Sequence, residues 1–293
     1  MINNTCTGRV AVVTGANKGI GYYIALQLGL SGQFQNVLLG CRDTVRATEA
    51  VRSIQAQLPS SVTVSSATLD LGDETSHAQF AATVNEKFGK ADVLVNNAAL
   101  AFKGADPTPF EGQTKPTLDV NYRGTVDFTE KMLPLLKKGE DPRLVSVASM
   151  AGRLGQLSPV MQAKFTDPDL TIGQLNSLVN DFERDVMDGT YKSKGWGNSN
   201  YGFSKLVVIA ATKVWARENP EIKVNCCCPG YCKTDMTSQN GRRDPADGAK
   251  NAVLPATMEN PPTGEYFSDY KVTPWDSSTA MTLFRFLKQM IFG

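Results

Sequence analysis

The sequence predicts a single α/β domain built on one doubly wound parallel sheet with helices on both faces. Three observations carry this expectation. Short apolar, β-branched runs recur along the chain, each followed by a segment of helical periodicity. A glycine-rich turn, TGANKGIG, joins the first of these runs to the first helix. Only one long stretch, 151–200, breaks the alternation over 293 residues. Strands joined through helical crossovers lie parallel and are buried on both faces, and such crossovers are right-handed.

Taken in order, RVAVVTG (9–15) reads as the first strand and GIGYYIALQLGLSG as its helix. NVLLGC (36–41) is the second strand, followed by a helix over 44–58. SVTVSSATLD precedes a helix over 73–88, and ADVLVNNAA precedes one over roughly 114–136. RLVSVAS and IKVNCCCPG, the latter starting near residue 222, supply the remaining strands. The stretch 151–200 is too long for a plain βα loop. It contains TIGQLNSLVNDFERDV, which puts Ile172, Leu175, Leu178, Val179, Phe182 and Val186 on one helical face, with Thr171 and Gln174 spaced as a capping box. The chain 1–293 is thus read as one domain with a helical insertion at 151–200 and a C-terminal tail at 276–293.

Thirty basic residues stand against 29 acidic ones, a formal charge of +1, which argues for a small partner rather than nucleic acid or an anionic membrane. Six cysteines include Cys226, Cys227, Cys228 and Cys232, whose spacing suits neither a disulfide framework nor a zinc site. No metal is expected, the three consecutive cysteines read as small buried residues of the sixth strand, and a reducing cytoplasm is the implied location. No signal peptide or spanning helix is indicated, and the sequon Asn3-Asn4-Thr5 carries no weight without a secretory signal. The tail TAMTLFRFLKQMIFG is too short to span a bilayer; docking on the body is its expected role, with interfacial membrane binding or support of dimerisation as the alternatives. His77, the only histidine, reads as a surface residue, so a histidine general base and a Ser-His-Asp hydrolase are not expected.

The chemistry-bearing pattern begins with Gly15, Gly19 and Gly21. Placed between a strand and a helix, they let the backbone turn sharply and let a pyrophosphate approach the helix N-terminus. At the end of the second strand Cys41 takes the position where a carboxylate would bind ribose hydroxyls, and Arg42 follows it. Arg42, with Lys18 from the glycine loop, suits a 2′-phosphate and hence NADP(H). Asp43 would weaken that preference if the strand ended one residue later. In YGFSK, Tyr201 and Lys205 lie one helical turn apart.

These motifs, with NNAA (96–99), VNYRGT around Asn121, VSVASMAG around Ser149 and PGYCKTDM (229–236), occur in an order that resembles the short-chain dehydrogenase/reductase family, most closely its carbonyl reductase branch, over roughly residues 8–275. Ala99 departs from the glycine usual there. The resemblance implies a Rossmann-type fold, a catalytic tetrad of Asn121, Ser149, Tyr201 and Lys205, and NADP(H) contacts from Gly15, Asn17, Lys18, Gly19, Ile20, Gly21, Arg42, Asp70, Leu71, Asn97, Ala98, Pro229, Gly230 and Thr234. The chemistry explains the residue types. Reducing a carbonyl creates an alkoxide that needs a proton. Tyr201 would give it, with its ordinary pKa of about 10 lowered by Lys205 and the oxidised nicotinamide. Ser149 would hold the carbonyl oxygen, and Asn121 a water leading from Lys205 to solvent.

The implied function is NADPH-dependent reduction of quinones, aldehydes and ketones of hydrophobic molecules. A dedicated secondary-metabolite or steroid ketone reductase is the alternative. A non-catalytic NADPH sensor is a further one, whose expected damaged tetrad is not seen. Leu154, Met161, Trp196, Tyr231 and Met236 are the expected substrate contacts; a place for Cys228 at the border of the active site is an alternative that the resemblance offers to its reading as a buried strand residue. The insertion resembles the one that covers the pairing surface in monomeric carbonyl reductases, so a monomer is expected.

Overall fold

The computed structural model of the chain describes residues 8–275, so the sequon and the 276–293 tail lie outside the described residues. Eight strands form one sheet in the order β3-β2-β1-β4-β5-β6-β7-β8. They are β1 Val10–Thr14, β2 Asn36–Cys41, β3 Thr63–Thr68, β4 Val93–Asn96, β5 Arg143–Val147, β6 Lys223–Cys228, β7 Tyr266–Ser268 and β8 Lys271–Val272. All neighbours pair parallel except β7 and β8.

Strand side chains alternate between two cores, as the two-residue period of a strand demands. Val10, Val12, Leu38, Leu94, Leu144 and Val224 enter the core shared with α3 (Glu74–Phe88), α5 (Thr125–Leu136) and α8 (Asn200–Glu218). Ala11, Val13, Val37, Leu39, Val93 and Val95 face the other way, toward α1 (Gly19–Leu30), α2 (Thr44–Gln55) and α9 (Pro245–Thr257). The helix α9 and the strands β7 and β8 extend the fold beyond the six strands read from the sequence.

The helix expected over 114–136 begins earlier and is interrupted. It runs as α4 (Phe110–Leu118), a π-turn at Asp119–Gly124, and then α5. At Gly124 this element presses on the chain after β3: a Cβ there would stand 1.8 Å from the Leu71 carbonyl oxygen. The wide turn places Asn121 at the break, and such turns cluster at functional sites.

His77 is a correction. It is 1% exposed, and its Nδ1 lies 2.6 Å from an Asp127 carboxylate oxygen, with its ring edge-on to Phe128. The pattern of α3 accounts for this, since Ser76, His77, Phe80, Val84 and Phe88 share its inner face.

The insertion contains α6 (Pro159–Phe165) and α7 (Ile172–Met187), and the Thr171–Gln174 capping box is formed. Its aromatic core corrects the substrate assignment. Trp196 meets Phe165, Phe182 and Phe203 edge-on, and its indole N–H donates to Asp185 at 2.8 Å. Leu154, Met161 and Trp196, at 4%, 5% and 6% exposure, are packing residues rather than walls of an open pocket.

Replacing Gly124 by alanine must push the π-turn off Leu71. We expect a loss of about 1–3 kcal/mol, read as a lowered midpoint in urea with an unchanged slope; an unchanged midpoint would contradict the close approach.

Candidate active site

The sheet order reverses between β1 and β4, and the crevice at their carboxyl ends is where ligands bind in open α/β sheets. Thr14 stitches its floor. The hydroxyl accepts hydrogen bonds from the backbone N–H groups of Asn97 and Ala98, both at 2.9 Å, and the Asn97 amide donates to the Thr14 carbonyl at 2.8 Å. There is no room here for side chains on the glycines. Gly15 has φ 64°, and a Cβ on it would stand 2.8 Å from Ala98 Cα; one on Gly21 would stand 2.4 Å from Asn97 Nδ2. Thr14 was not singled out from the sequence, although its place before the glycine turn was visible.

The first turn of α1 holds no acidic residue, and its N-cap residue, Lys18, makes no side-chain cap, so the leading N–H groups are open to an anion. Ile20 packs behind it on the core. Cys41, at the end of β2, points inward. Its thiol is buried under the glycine loop, where it accepts from the backbone of Ala16 and Asn17, and burial pushes its pKa up to about 11. Asp43 is spent on capping α2, accepting from Arg46 N at 3.0 Å. Arg42 is exposed and has no side-chain partner among the described residues.

Asp70 accepts from Gly72 N at 2.9 Å, and Leu71 is buried with its carbonyl against Gly124. Beyond β6, Gly230 has φ 83°, and the Pro229 carbonyl accepts from Arg243 at 3.1 Å. Thr234 lies over the glycine loop, its methyl 3.5 Å from where a Cβ of Gly19 would be. Lys18, expected to be free for a phosphate, is paired: its Nζ lies 2.7 Å from Asp235 Oδ2.

Ser149, Tyr201 and Lys205 meet at the carboxyl end of β5, and Asn121, held by the chain after β4, is joined to them through Ser204. Asn121 sits in the π-turn, 1% exposed, with both ends of its amide engaged. Oδ1 accepts from Leu100 N at 2.6 Å, and Nδ2 donates to the Leu100 carbonyl at 2.8 Å and to Ser204 Oγ at 3.0 Å. Ser204 is a residue the sequence reading missed; its hydroxyl also donates to the Tyr201 carbonyl at 2.8 Å, tying Asn121 to α8. Ser149 caps a 3₁₀ turn at Met150–Gly152, accepting from Ala151 N at 3.1 Å.

Lys205 is buried, donates to the Val147 carbonyl at 2.8 Å, and lies 5.7 Å from the centre of the Tyr201 ring. Burial lowers its pKa from 10.5 to about 8. Burial also pushes the Tyr201 phenol up to about 12, the Cys228 thiol adding to the rise and Ser149 opposing it. The expected lowering of Tyr201 by Lys205 is therefore not a property of the protein alone. Desolvation drives both groups toward their neutral forms.

Cys228 borders this cluster, with its sulfur accepting from Met150 N and Gly230 N at 3.3 Å each. Tyr231 and Met236 are 58% and 40% exposed, and Met150, next to Ser149 and unforeseen, is 58% exposed. Among the described residues no cluster could hold a metal ion, and no helix is long and apolar enough to cross a membrane.

The short chain dehydrogenase family model matches residues 9–161 and 187–245. The skipped segment contains nearly all of α7, the centre of the insertion. Carbonyl reductase (NADPH) 1 of Sus scrofa is 37% identical over 94% of this chain and 96% of its own length; the Homo sapiens protein of that name is 36% identical over 91% and 98%. Among solved structures, salutaridine reductase from Papaver somniferum has a TM-score of 0.80 at 31% identity, covering 89% of this chain and 99% of its own. Menthone neomenthol reductase from Mentha piperita has a TM-score of 0.75 at 29% identity, covering 89% and 98%. With the family model matching more than half of its length and a relative 37% identical over 94% of it, this chain belongs to the short-chain dehydrogenase family.

Proposed function

We propose that the protein is an NADPH-dependent carbonyl reductase acting on quinones, aldehydes and ketones of hydrophobic molecules. The observation that carries this reading is the convergence of Ser149, Tyr201 and Lys205 beside Asn121 at the mouth of a glycine-floored crevice. The names of the relatives support it. The residues present fit the cofactor: the uncapped start of α1 for a pyrophosphate, and Arg42 at the end of β2 for a 2′-phosphate, with Asp43 already spent on its helix.

When bound, NADPH supplies the hydride. The chain's own residues do the rest. Ser149 orients the substrate carbonyl by donating its hydroxyl proton in a hydrogen bond. Tyr201 gives its phenolic proton to the same oxygen as negative charge builds there. Lys205, protonated at neutral pH, stabilises the phenolate left behind. Both amide protons of Asn121 are already donated, so the residue meets a water on the route from Lys205 to solvent only as an acceptor, through its main-chain carbonyl or the second lone pair of Oδ1. Exposed Met150, Tyr231 and Met236 near this mouth suit an apolar substrate body. The named substrates of the two plant reductases favour the alternative of a dedicated secondary-metabolite ketone reductase. We further propose a monomer, because α7 packs on α4 and α8 within the chain, and a cytoplasmic location, because the five described cysteines are free thiols.

The test is consumption of NADPH and NADH across quinones, aromatic aldehydes and bulky ketones. Tyr201→Phe should lower kcat by about 10²–10⁴-fold while leaving NADPH binding intact; turnover retained in that variant would remove Tyr201 from its role. Arg42→Ala should weaken NADPH about tenfold or more and leave NADH unmoved, since an arginine–phosphate pair is worth about 1.5–3 kcal/mol.

Lys205 also has a stability signature. Its folded pKa of about 8 lies below its usual 10.5, so between these values the unfolded chain holds a proton that the folded chain has released. Stability therefore rises with pH across that window, and the cost of the buried charge is fully present below it. Lys205→Met should gain on the wild type by about 2–3 kcal/mol at pH 7 relative to pH 10.5, measured by urea unfolding without cofactor. A difference that does not depend on pH would show that Lys205 is not desolvated.

A further inference from the structure

The loop 233–242, between Cys232 and Arg243, is closed at its neck and free at its tip. Lys233 N donates to the Arg243 carbonyl at 2.9 Å, and Arg243 N to the Tyr231 carbonyl at 3.0 Å. The Arg243 guanidinium fixes the same point, donating to the Pro229 carbonyl at 3.1 Å and to Asp269 at 2.6 Å. Gly241 leaves no room for a side chain, as its Cβ would stand 2.0 Å from the Cys232 carbonyl.

Inside the neck the loop is a small rigid body. The Thr237 hydroxyl donates to the Cys232 carbonyl at 2.7 Å, Gln239 N to the Thr234 carbonyl at 2.9 Å, and Asn240 N to the Thr237 carbonyl at 2.9 Å. Ser238 and Gln239 hold left-handed φ of 51° and 64° to make this turn. The Gln239 amide donates to Asp235 Oδ1 at 2.9 Å, which orients the carboxylate.

Among the described residues, one polar contact joins this body to anything beyond its neck: Lys18 Nζ to Asp235 Oδ2, 2.7 Å. It reaches from the N-cap of α1 to the loop, across the glycine turn over which Thr234 already lies. Both side chains are more than half exposed, so the pair is weak, screened by salt and easily exchanged. A phosphate that engages Lys18 competes with Asp235 for its ammonium and repels the carboxylate.

We propose that the Lys18–Asp235 ion pair is a phosphate-sensitive latch: it holds loop 233–242 over the glycine turn, and a phosphate monoester engaging Lys18 releases it. The proposal rests on the NADPH reading for the identity of that phosphate, the 2′-phosphate of an adenosine ribose, and not for the existence of the latch. Asp235 is then a specificity-determining residue. It holds down the affinity for the phosphorylated cofactor without touching that for NADH, and it couples occupancy of the phosphate site to freedom of the loop.

Two readouts separate the latch from the cofactor assignment. The tip of the loop, inside the neck, carries a chymotrypsin site at the exposed Met236. In the protein without cofactor, Asp235→Asn should speed cleavage there several-fold, and raised salt should do the same to the wild type but not to the variant. Adenosine 2′,5′-bisphosphate should speed wild-type cleavage more than adenosine 5′-phosphate does. In direct binding followed by NADPH fluorescence, Asp235→Asn should tighten NADPH about three- to fivefold, the scale of one exposed ion pair. NADH should be unchanged, and the gain should vanish in a Lys18→Met background.

Unchanged cleavage in Asp235→Asn overturns the latch, whatever the cofactor. Weaker NADPH binding by that variant overturns competition in favour of Asp235 positioning Lys18. Equal tightening of NADH, or tightening that survives Lys18→Met, reduces the effect to a general loss of negative charge and also overturns it. Faster cleavage in the variant alongside binding of neither dinucleotide keeps the loop restraint but refutes the NADPH reading and, with it, the cofactor-specificity role.

Discussion

The active crevice depends on how closely the ends of β1 and β4 approach each other. In a doubly wound sheet the chain leaves these two neighbouring strands toward opposite faces, which by itself would leave a gap with unpaired backbone groups. Thr14 closes it by accepting two backbone N–H groups and receiving the Asn97 amide. That closure is what leaves no volume for side chains at Gly15 and Gly21. The result is a floor of bare backbone against which a flat, charged cofactor can lie, with the uncapped start of α1 beside it. The glycines therefore answer to the Thr14 junction as much as to any ligand.

The reacting groups are governed by a second constraint, desolvation. Tyr201 and Lys205 lie on the first two turns of α8, a helix buried on nearly all sides. Burial raises one pKa and lowers the other, so both groups are pushed away from the charged forms that proton transfer needs. The ammonium donates to the Val147 carbonyl and lies against the face of the tyrosine ring, which partly offsets the cost. A site held in this condition gains most from an added positive charge near the phenol. Tuning of the proton donor thus belongs to the enzyme with its cofactor, and the protein contributes the dry setting in which that charge acts strongly.

Much of this was legible in the sequence, and the failures have physical reasons. The six principal strands and the glycine turn follow from local patterns, apolar runs of strand length and glycines set between a strand and a helix, whereas the tetrad is what the family resemblance implies. What local patterns do not encode is which exposed-looking residue a distant element will claim. Lys18 reads as a free cation until Asp235, more than two hundred residues later, folds over it. Trp196 and Met161 read as pocket walls because the insertion that carries them flanks the expected pocket at the carboxyl ends of the strands, yet α7 takes them into its own core. His77 was a different error, since the spacing of Phe80, Val84 and Phe88 already placed it on the inner face of α3. The π-turn was hidden for a subtler reason: a helical period continues through it, and only the close approach of the Leu71 carbonyl shows why a glycine must stand at its end.

The insertion carries the final link between packing and chemistry. Phe182 of α7 stacks on Phe203 with ring centres 3.9 Å apart, and Trp196 closes on both rings while Asp185 holds its indole N–H. Phe203 lies between Tyr201 and Lys205 in α8, so these rings grip the helix at the turn that carries the acid–base pair. Asp185 is itself buried and is held ionised by Lys194 and the Trp196 N–H despite the cost of burial. An aromatic cluster with one satisfied polar anchor has few alternative packings. The segment in which this chain departs from the family model is therefore packed directly against the first turns of α8, where Phe203 stands two residues from Tyr201.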